Sequence, residues 1–365
     1  MRLPRHQPIH NLLDRLAPKF FGAFFVAGLL LTGVSCSKKG GTADWDTPGS
    51  STPEGTRTEP AIQAPVVSVE EETAPDFEPM LTASQPARPI TDGGLRFITY
   101  NVENWLTMDR YVGGKNMKGA PKPEEEKAAV VALLVRHHPD VLGLSEIGAA
   151  TDLAEIQQDL KDAGLDLPHS HYTGGSDPTR HLGLLSRFPI TSTAKPAQSE
   201  YQLAGRTYAI NRGILDATVA ARGKSYRFLG LHLKSKRESE QGDQQAIRLN
   251  EARLLRRHVD SIFKADAEAR LIVYGDLNDT RATPVIKTIT GKYNDPTYLT
   301  AIPAKDSRQQ AWTHHWALHD IYSRIDFIMV TRALRQEVDF PDAKIIDDEG
   351  WDKASDHRAI LAIFR

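Results

Sequence analysis

Apolar and polar positions change pattern several times along the chain, and each change marks an element. Leu95 to Asn101 (LRFITYN) is a short β-rich run and predicts a strand. From Glu124 to His138, Ala128, Val131, Leu134 and Val135 fall on one face at helical spacing, and Pro139-Asp140 ends the pattern. Val141 to Ser145 (VLGLS) is apolar without alternation, as in a strand buried on both faces. Residues 151–163 predict a second amphipathic helix, and strands follow at 182–187, 213–220 and 225–232. The longest helix runs from about Gln241 to Lys264. Its buried stripe is Ala252, Leu255, Val259 and Ile262, with Arg253, Arg256 and Arg257 largely outside it. Strands return at 270–274, 321–330 and 357–364. Strands and helices alternate without regular βαβ units, which favours sheets with helices packed outside over a Rossmann-type fold.

Before this region the pattern is different. Arg2, Arg5, Arg15 and Lys19 precede an apolar run from Phe20 to Val34, fifteen residues and too short to span a hydrocarbon core of about 30 Å. A basic flank followed by a short apolar segment reads as a signal peptide over residues 1–35. Leu31-Thr32-Gly33-Val34-Ser35-Cys36 follows, and it resembles a bacterial lipoprotein box in which the cysteine is lipidated and becomes the mature N-terminus. Gly33 is a departure, standing where such boxes usually carry an aliphatic residue. Residues 36–92 hold eight prolines and the acidic patch Glu70-Glu71-Glu72 with hardly any periodic apolar face, and are expected to be an extended linker. Residues 93–365 read as one catalytic domain.

Composition narrows the class. Among 365 residues, 40% hydrophobic, 25% charged and 7% aromatic exclude collagen, wholesale disorder and a polytopic membrane protein. One cysteine excludes an intramolecular disulfide. Net charge is +3 over residues 1–35, −6 over 36–92 and +1 over 93–365. A near-neutral domain argues against coating nucleic acid electrostatically, but leaves room for an enzyme with a local basic rim.

Polar residues punctuate the strand ends. Asn101-Val102-Glu103-Asn104 follows the first strand, Glu146 follows VLGLS, and His232 ends FLGLH. Asp276 and Asn278 follow LIVYG, and Asp356-His357 precede the last strand. Asp326 lies inside an apolar strand, where an unpaired carboxylate is costly to bury. Singly, each reads as a turn former, a cap or a hydrogen-bonded histidine; turns do not explain six together. Hard oxygen ligands such as Asn101, Glu146 and Asp356 suit magnesium or manganese rather than zinc. Two histidines beside several carboxylates are the set needed to orient a water and stabilise phosphoryl charge. The residues describe a metal-assisted hydrolase.

The segments RFITYNVEN, VLGLSEI, FLGLHLKS, IVYGDLND, SRIDFI and SDHRAI resemble, in order, the motifs of the endonuclease/exonuclease/phosphatase superfamily across residues 95–365. That DNase I-like group includes deoxyribonucleases, apurinic endonucleases, neutral sphingomyelinases and inositol polyphosphate 5-phosphatases. The resemblance implies an α/β (α+β) fold, a four-layered sandwich of two packed mixed sheets flanked by helices. It implies that Glu146 is the principal metal ligand, helped by Asn101 and Asp356, and that Glu103 is an acidic support to them. It also implies that Asp276 positions or deprotonates the water, with Asn278 fixing it, and that His357, oriented by Asp326, stabilises the phosphate. His232 would be the second phosphate-binding histidine. Ser145 stands where the family commonly has Gln, a departure that bears on substrate contacts.

Substrate is less legible. Arg180 and Lys234 are candidates to pair with phosphate oxygens, and Lys236 and Arg237 divide evenly between that and solvated loop charge. Trp312, His314, His315 and Trp316 could stack on a base or sugar or simply form a rim. His314 and His315 lack the spacing of a zinc site, and no long hydrophobic loop suited to a membrane is evident. The reading is an exported, lipid-anchored, magnesium- or manganese-dependent phosphodiesterase, a nuclease before a phosphatase. It is expected to be monomeric with no protein partner, held in the cell envelope facing the periplasm or exterior, and in contact with membrane through its anchor alone. Two alternatives stand: a phosphomonoesterase or a phospholipid- or inositol-phosphate-directed hydrolase of the same group, and an inert surface binding module.

Overall fold

The computed structural model describes residues 94–365 apart from Gly113, Glu238 and Gln241. The signal segment, Cys36 and the proline-rich linker lie outside the described residues.

Two six-stranded mixed sheets form the centre. The first runs Lys344–Ile345, Ile360–Phe364, Leu95–Trp105, Val141–Ile147, His181–Ser186 and His169–Thr173 in spatial order. The second runs Thr300–Ala301, Asp326–Val330, Leu271–Asp276, Lys224–His232, Leu215–Ala221 and Ile190–Thr193. Each sheet has a single parallel pair at its middle, Leu95–Trp105 with Val141–Ile147 and Lys224–His232 with Leu271–Asp276. The other neighbours are antiparallel. Strands buried on both faces read as continuous apolar runs, which is why VLGLS and LIVYG carry no alternation.

Three apolar layers follow. Leu95, Phe97, Val141, Leu184, Ala217, Phe228, Tyr274 and Ile328 pack between the sheets. Helices α1 (Glu124–His137) and α2 (Ala150–Asp162) cover the outer face of the first sheet over Ile98, Leu142 and Leu144. Helices α3 (Gln244–Ala265) and α4 (Pro284–Thr290) cover the second over Leu229, Leu231 and Val273. The result is the helix–sheet–sheet–helix sandwich expected. Tyr274 bridges the sheets: its ring lies edge-on to Phe97 at 4.9 Å. A Cβ on Gly143 of the opposite sheet would come within 2.1 Å of that ring, so the strand Val141–Ile147 admits the aromatic only with glycine at this position.

Three expectations needed adjustment. The single strand at 321–330 is two pieces: Ile321–Ser323 pairs with His314–Trp316 in a separate ribbon, and Asp326–Val330 enters the second sheet. The buried face of α1 is Lys127, Val130, Leu133, Leu134 and His137, with Ala128 outside it and Val131 and Val135 only partly covered. Lys127 is tolerated there because its ammonium reaches Glu155 at 2.8 Å and Glu124 at 3.0 Å. The first strand does not end at Asn101 but continues through an irregularity to Trp105.

Candidate active site

Strand register brings the separated polar residues together. His232 stands opposite Asp276, and Asp276 opposite Asp326, across three neighbouring strands of the second sheet. Asn101 is opposite Ser145 at the corresponding end of the first sheet, with Glu146 next along. The Asn101 side-chain amide donates to Glu146 Oε1 at 3.2 Å and to Asp276 Oδ2 at 3.2 Å, so one residue joins the two sheets' contributions.

His357 is the hub. Its Nδ1 lies 2.8 Å from Asp326 Oδ2, and its Nε2 faces Asp276 Oδ2 at 3.7 Å and Asn101 Nδ2 at 3.4 Å. Burial alone would depress this imidazole, but the Asp326 and Asp276 carboxylates hold it well above the ordinary histidine value. Asp276 moves the other way from most carboxylates: burial, then the charge of Asp326, raises it. His232 is fully buried and held well below the ordinary value by that burial and by Arg212. Its Nε2 sits 3.5 Å from Asp276 Oδ2 and 3.9 Å from Glu146 Oε1, and its Nδ1 has no hydrogen-bond partner. The site therefore pairs a protonated imidazole with a neutral one across a carboxylate able to accept a proton near neutrality. Such a set can donate to a phosphoryl oxygen and take a proton from water.

Four of the ten described non-glycine residues with positive φ lie at the same place. Glu103, Asn104, Glu146 and Asn278, none of them glycine, have φ of 47°, 58°, 64° and 49°, and left-handed residues of this kind cluster at functional sites. The conformation aims amides inward: Glu103 N donates to Asn101 Oδ1 at 3.0 Å, Asn104 N to Glu146 Oε2 at 3.0 Å, and Asn278 N to Asp276 Oδ1 at 2.8 Å. Asn278 Nδ2 also reaches Leu233 O at 3.0 Å, tying the His232 and Asp276 strand ends together. Glu103 accepts from Asp356 N at 2.9 Å, and burial beside Asp356 raises its carboxyl.

The expected metal set is Asn101, Glu146 and Asp356. Asn101 touches Glu146 directly, whereas Asp356 is joined to them through Glu103 and lies 3.7 Å from His314 Nε2. Carboxylate and imidazole atoms gather most closely in Asp276/Asp326/His357 and His314/Asp356/His357. Both groups share His357, whose Nδ1 is occupied by Asp326, and neither includes Glu146. The donor chemistry fits a hard divalent cation. Glu146, Asp276, Asp326 and Asp356 face histidines and, at 3.9 Å from Glu146, Arg180, with no lysine ammonium among their ion pairs in the described residues. Carboxylates gathered this way are stabilised by a bound cation.

Arg180, expected to pair with phosphate oxygens, donates from Nε to Asn104 Oδ1 at 2.8 Å. Lys234 is almost buried, its own amide held by Glu251 Oε2 at 2.7 Å. Lys236 pairs with Asp279 at 3.4 Å, and Arg237 is exposed with its charge felt by Asp356. Trp312 is not a stacking platform: Arg358 covers its ring at 3.3 Å, with Trp351 and Tyr322 against it. His315 stacks on Tyr322, whereas Trp316 is 40% exposed. Contrary to the apolar-loop expectation, the ribbon and its turn expose Trp316, Leu318, Ile321 and Tyr322.

Two residues, Arg212 and Glu251, escaped the sequence reading, and a third, His314, was read only as rim or stacking surface. Arg212 is buried, pairs with Asp177 Oδ2 at 3.2 Å, and leaves Nη1 without an acceptor next to His232. It precedes a strand, and only the antiparallel pairing of that strand with Lys224–His232 brings it to the site. Glu251, fully buried on α3, accepts from Asn211 N and Lys234 N. His314 packs its ring on His357 at 4.6 Å between centroids. The signal for Arg212 was the polar pair Asn211-Arg212 directly before an apolar run.

The structure is a two-sheet sandwich carrying an acidic, histidine-containing centre at its strand ends. The chain belongs to the Endonuclease/Exonuclease/phosphatase family, whose model matches residues 99–357. Among solved structures it is similar to an endonuclease/exonuclease/phosphatase from Bacteroides vulgatus, at 19% identity, TM-score 0.52, over 74% of this chain and 98% of that one. It is also similar to sphingomyelinase C from Streptomyces griseocarneus, at 13% identity, TM-score 0.53, over 74% and 99%. A beta toxin variant from Staphylococcus aureus with bound magnesium ions matches at 14% identity, TM-score 0.51, over 74% and 99%. A search of the curated proteins finds no match to this sequence.

Proposed function

We propose that the chain is an exported, lipid-anchored phosphodiesterase, dependent on magnesium or manganese, that hydrolyses phosphodiester bonds with an activated water, with nucleic acid as its substrate class. The observation that carries the hydrolase reading is the convergence of His357, Asp326, Asp276, His232 and Glu146 within hydrogen-bond or ion-pair distance of one another. Asn101, Glu146 and Asp356 would hold the cation. When bound, it supplies positive charge that polarises the phosphoryl group and lowers the pKa of water. Asp276 accepts the proton of the attacking water, with Asn278 holding its carboxylate in place. His357, kept protonated by Asp326, donates to the phosphoryl oxygens as charge develops and supplies the proton that the leaving oxygen needs. The neutral His232 contributes a hydrogen bond from its single N–H to the phosphate. Arg180 and Lys234 hold the non-bridging oxygens of the substrate.

The apolar ribbon favours a second reading, a phospholipid-directed phosphodiesterase, because Trp316, Leu318, Ile321 and Tyr322 project next to His314 and His357. Incubating the purified chain with magnesium and DNA, RNA, nucleotides, sphingomyelin vesicles or inositol phosphates separates the two. Cleavage of nucleic acid with sphingomyelin untouched supports the first. The reverse supports the second, and no turnover on any substrate supports a binding module. Export and anchoring rest on the segment ending at Cys36. Residues 36–92 serve as the tether that holds a monomeric catalytic domain off the envelope membrane. Cys36→Ala should abolish palmitate labelling and release the protein from membranes, and retention of both would remove the anchor from the proposal.

A further inference from the structure

The left-handed turn Glu103-Asn104 turns its two amides toward Asn101 and Glu146, and something must hold its carbonyls. Two cations do so. Lys122, between a hairpin (strands Met108–Val112 and Lys115–Ala120) and α1, is 1% exposed and places Nζ 3.1 Å from Glu103 O and 3.0 Å from Glu126 Oε2. Arg110, on the hairpin itself, bonds Asn104 O through Nη2 and Leu106 O at 2.9 Å through the same nitrogen. Burying an ammonium is unfavourable unless it is fully paired. A pairing with Glu126 alone needs no such depth, since that carboxylate is 35% exposed. The position of Lys122 is explained by its contact with the turn.

We propose that Lys122 and Arg110 are positioning residues that lock the Glu103-Asn104 turn from its carbonyl side and, through its amides, set the direction of Asn101 and Glu146. Lys122 on the Glu103 carbonyl polarises that peptide group and strengthens the hydrogen bond that its N–H, that of Asn104, gives to Glu146. Arg110, sharing Asn104 O with Leu106 N at 2.7 Å, acts instead by holding the backbone shape of the turn. The same two contacts oppose relaxation of the turn to right-handed backbone, which would swing both amides away from the site. Arg180 completes the lock by bonding the Asn104 side chain at 2.8 Å. The hairpin thus shapes the metal-facing residues without touching them. This inference rests on the proposed role of Asn101 and Glu146.

The test measures metal alone. Manganese binding to the purified full chain is followed by electron paramagnetic resonance for wild type, Lys122→Met and Arg110→Met, with thermal unfolding recorded on the same samples. Loss of an outer contact to a metal-ligating group typically weakens affinity about 10- to 100-fold, and that loss is expected in both variants, with turnover falling more than KM rises. In Lys122→Ala, added ethylammonium should recover part of the affinity and propanol should not, since packing alone would be restored equally by either. A folded variant that binds manganese within about twofold of wild type, against the expected range, overturns the lock, as does equal rescue by propanol. If Lys122→Met does not fold, Arg110→Met, on the more open side, decides the question. A wild type that binds no manganese overturns the hydrolase reading and the lock with it, whereas binding by wild type and variants alike overturns the lock only.

Discussion

His357 Nδ1 and Asp326 Oδ2 are 2.8 Å apart across 31 residues of sequence, the shortest contact His357 makes to a carboxylate. The pair exists because Asp326 opens a strand of the second sheet while His357 follows the ribbon-stitched loop, where His315 N bonds Asp356 O at 3.1 Å. An aspartate at the mouth of an apolar strand is thereby paired rather than stranded.

That coupling predicts non-additivity. Donors aimed at charge that develops in the transition state are worth about 100- to 1,000-fold in turnover. His357→Ala and Asp326→Asn should each cost on that order with little change in substrate affinity, and the double variant should be scarcely worse than the poorer single. Steady-state kinetics on the cleaved substrate measures this. Effects that multiply would separate the two residues.

Metal dependence follows from the oxygen-rich donor set. Activity should vanish in EDTA and return with magnesium or manganese. Glu146→Gln should bind metal about 10-fold more weakly or worse while circular dichroism stays that of the wild type. Undiminished hydrolysis in chelator would remove the cation from the mechanism.

Acid stability should report on Asp216. Burial pushes its carboxyl up, but the bonds from Arg227 at 2.6 and 2.8 Å and from His258 at 2.7 Å outweigh that and hold it below the ordinary value of 3.8. A depressed folded-state pKa contributes stability that is present above the unfolded value and lost as pH falls through the folded one. The unfolding temperature of wild type should therefore fall on acidification below about pH 4, near the unfolded pKa. Asp216→Asn should be less stable at pH 7 and lose less on acidification. Parallel pH curves for the two proteins would contradict this account.

Gly143 and Tyr274 make a packing prediction. A Cβ at 143 meets the ring at 2.1 Å, so Gly143→Ala should destabilise by about 1–3 kcal/mol, the usual cost of overpacking. Combining it with Tyr274→Leu should cost less than the two changes added, because the second removes what the first strikes. Denaturant unfolding of the four proteins measures the coupling.

The central strands, the three long helices and the strand-end residues were legible in the sequence because each is a local pattern, whereas short edge strands and hairpins such as Met108–Val112 with Lys115–Ala120 were not. An apolar run buried on both faces shows no alternation, and a polar residue where such a run stops is visible without a partner. Asn101, Glu146, His232, Asp276, Asp326 and His357 could be singled out on that ground, and their order carried the family resemblance. Arg212, Glu251 and Lys122 could not, and the packing of His314 on His357 was not visible either. Arg212 sits before a strand rather than after one, and only antiparallel pairing brings it beside His232. Glu251 and Lys122 read as ordinary helix and loop charges until burial at 0% and 1% shows that their partners are backbone groups from elsewhere. Trp312 and Trp316 look alike in sequence. Tertiary packing gave one a cover of Arg358 and left the other open, because coverage of a side chain depends on which distant segment crosses it and not on its neighbours along the chain.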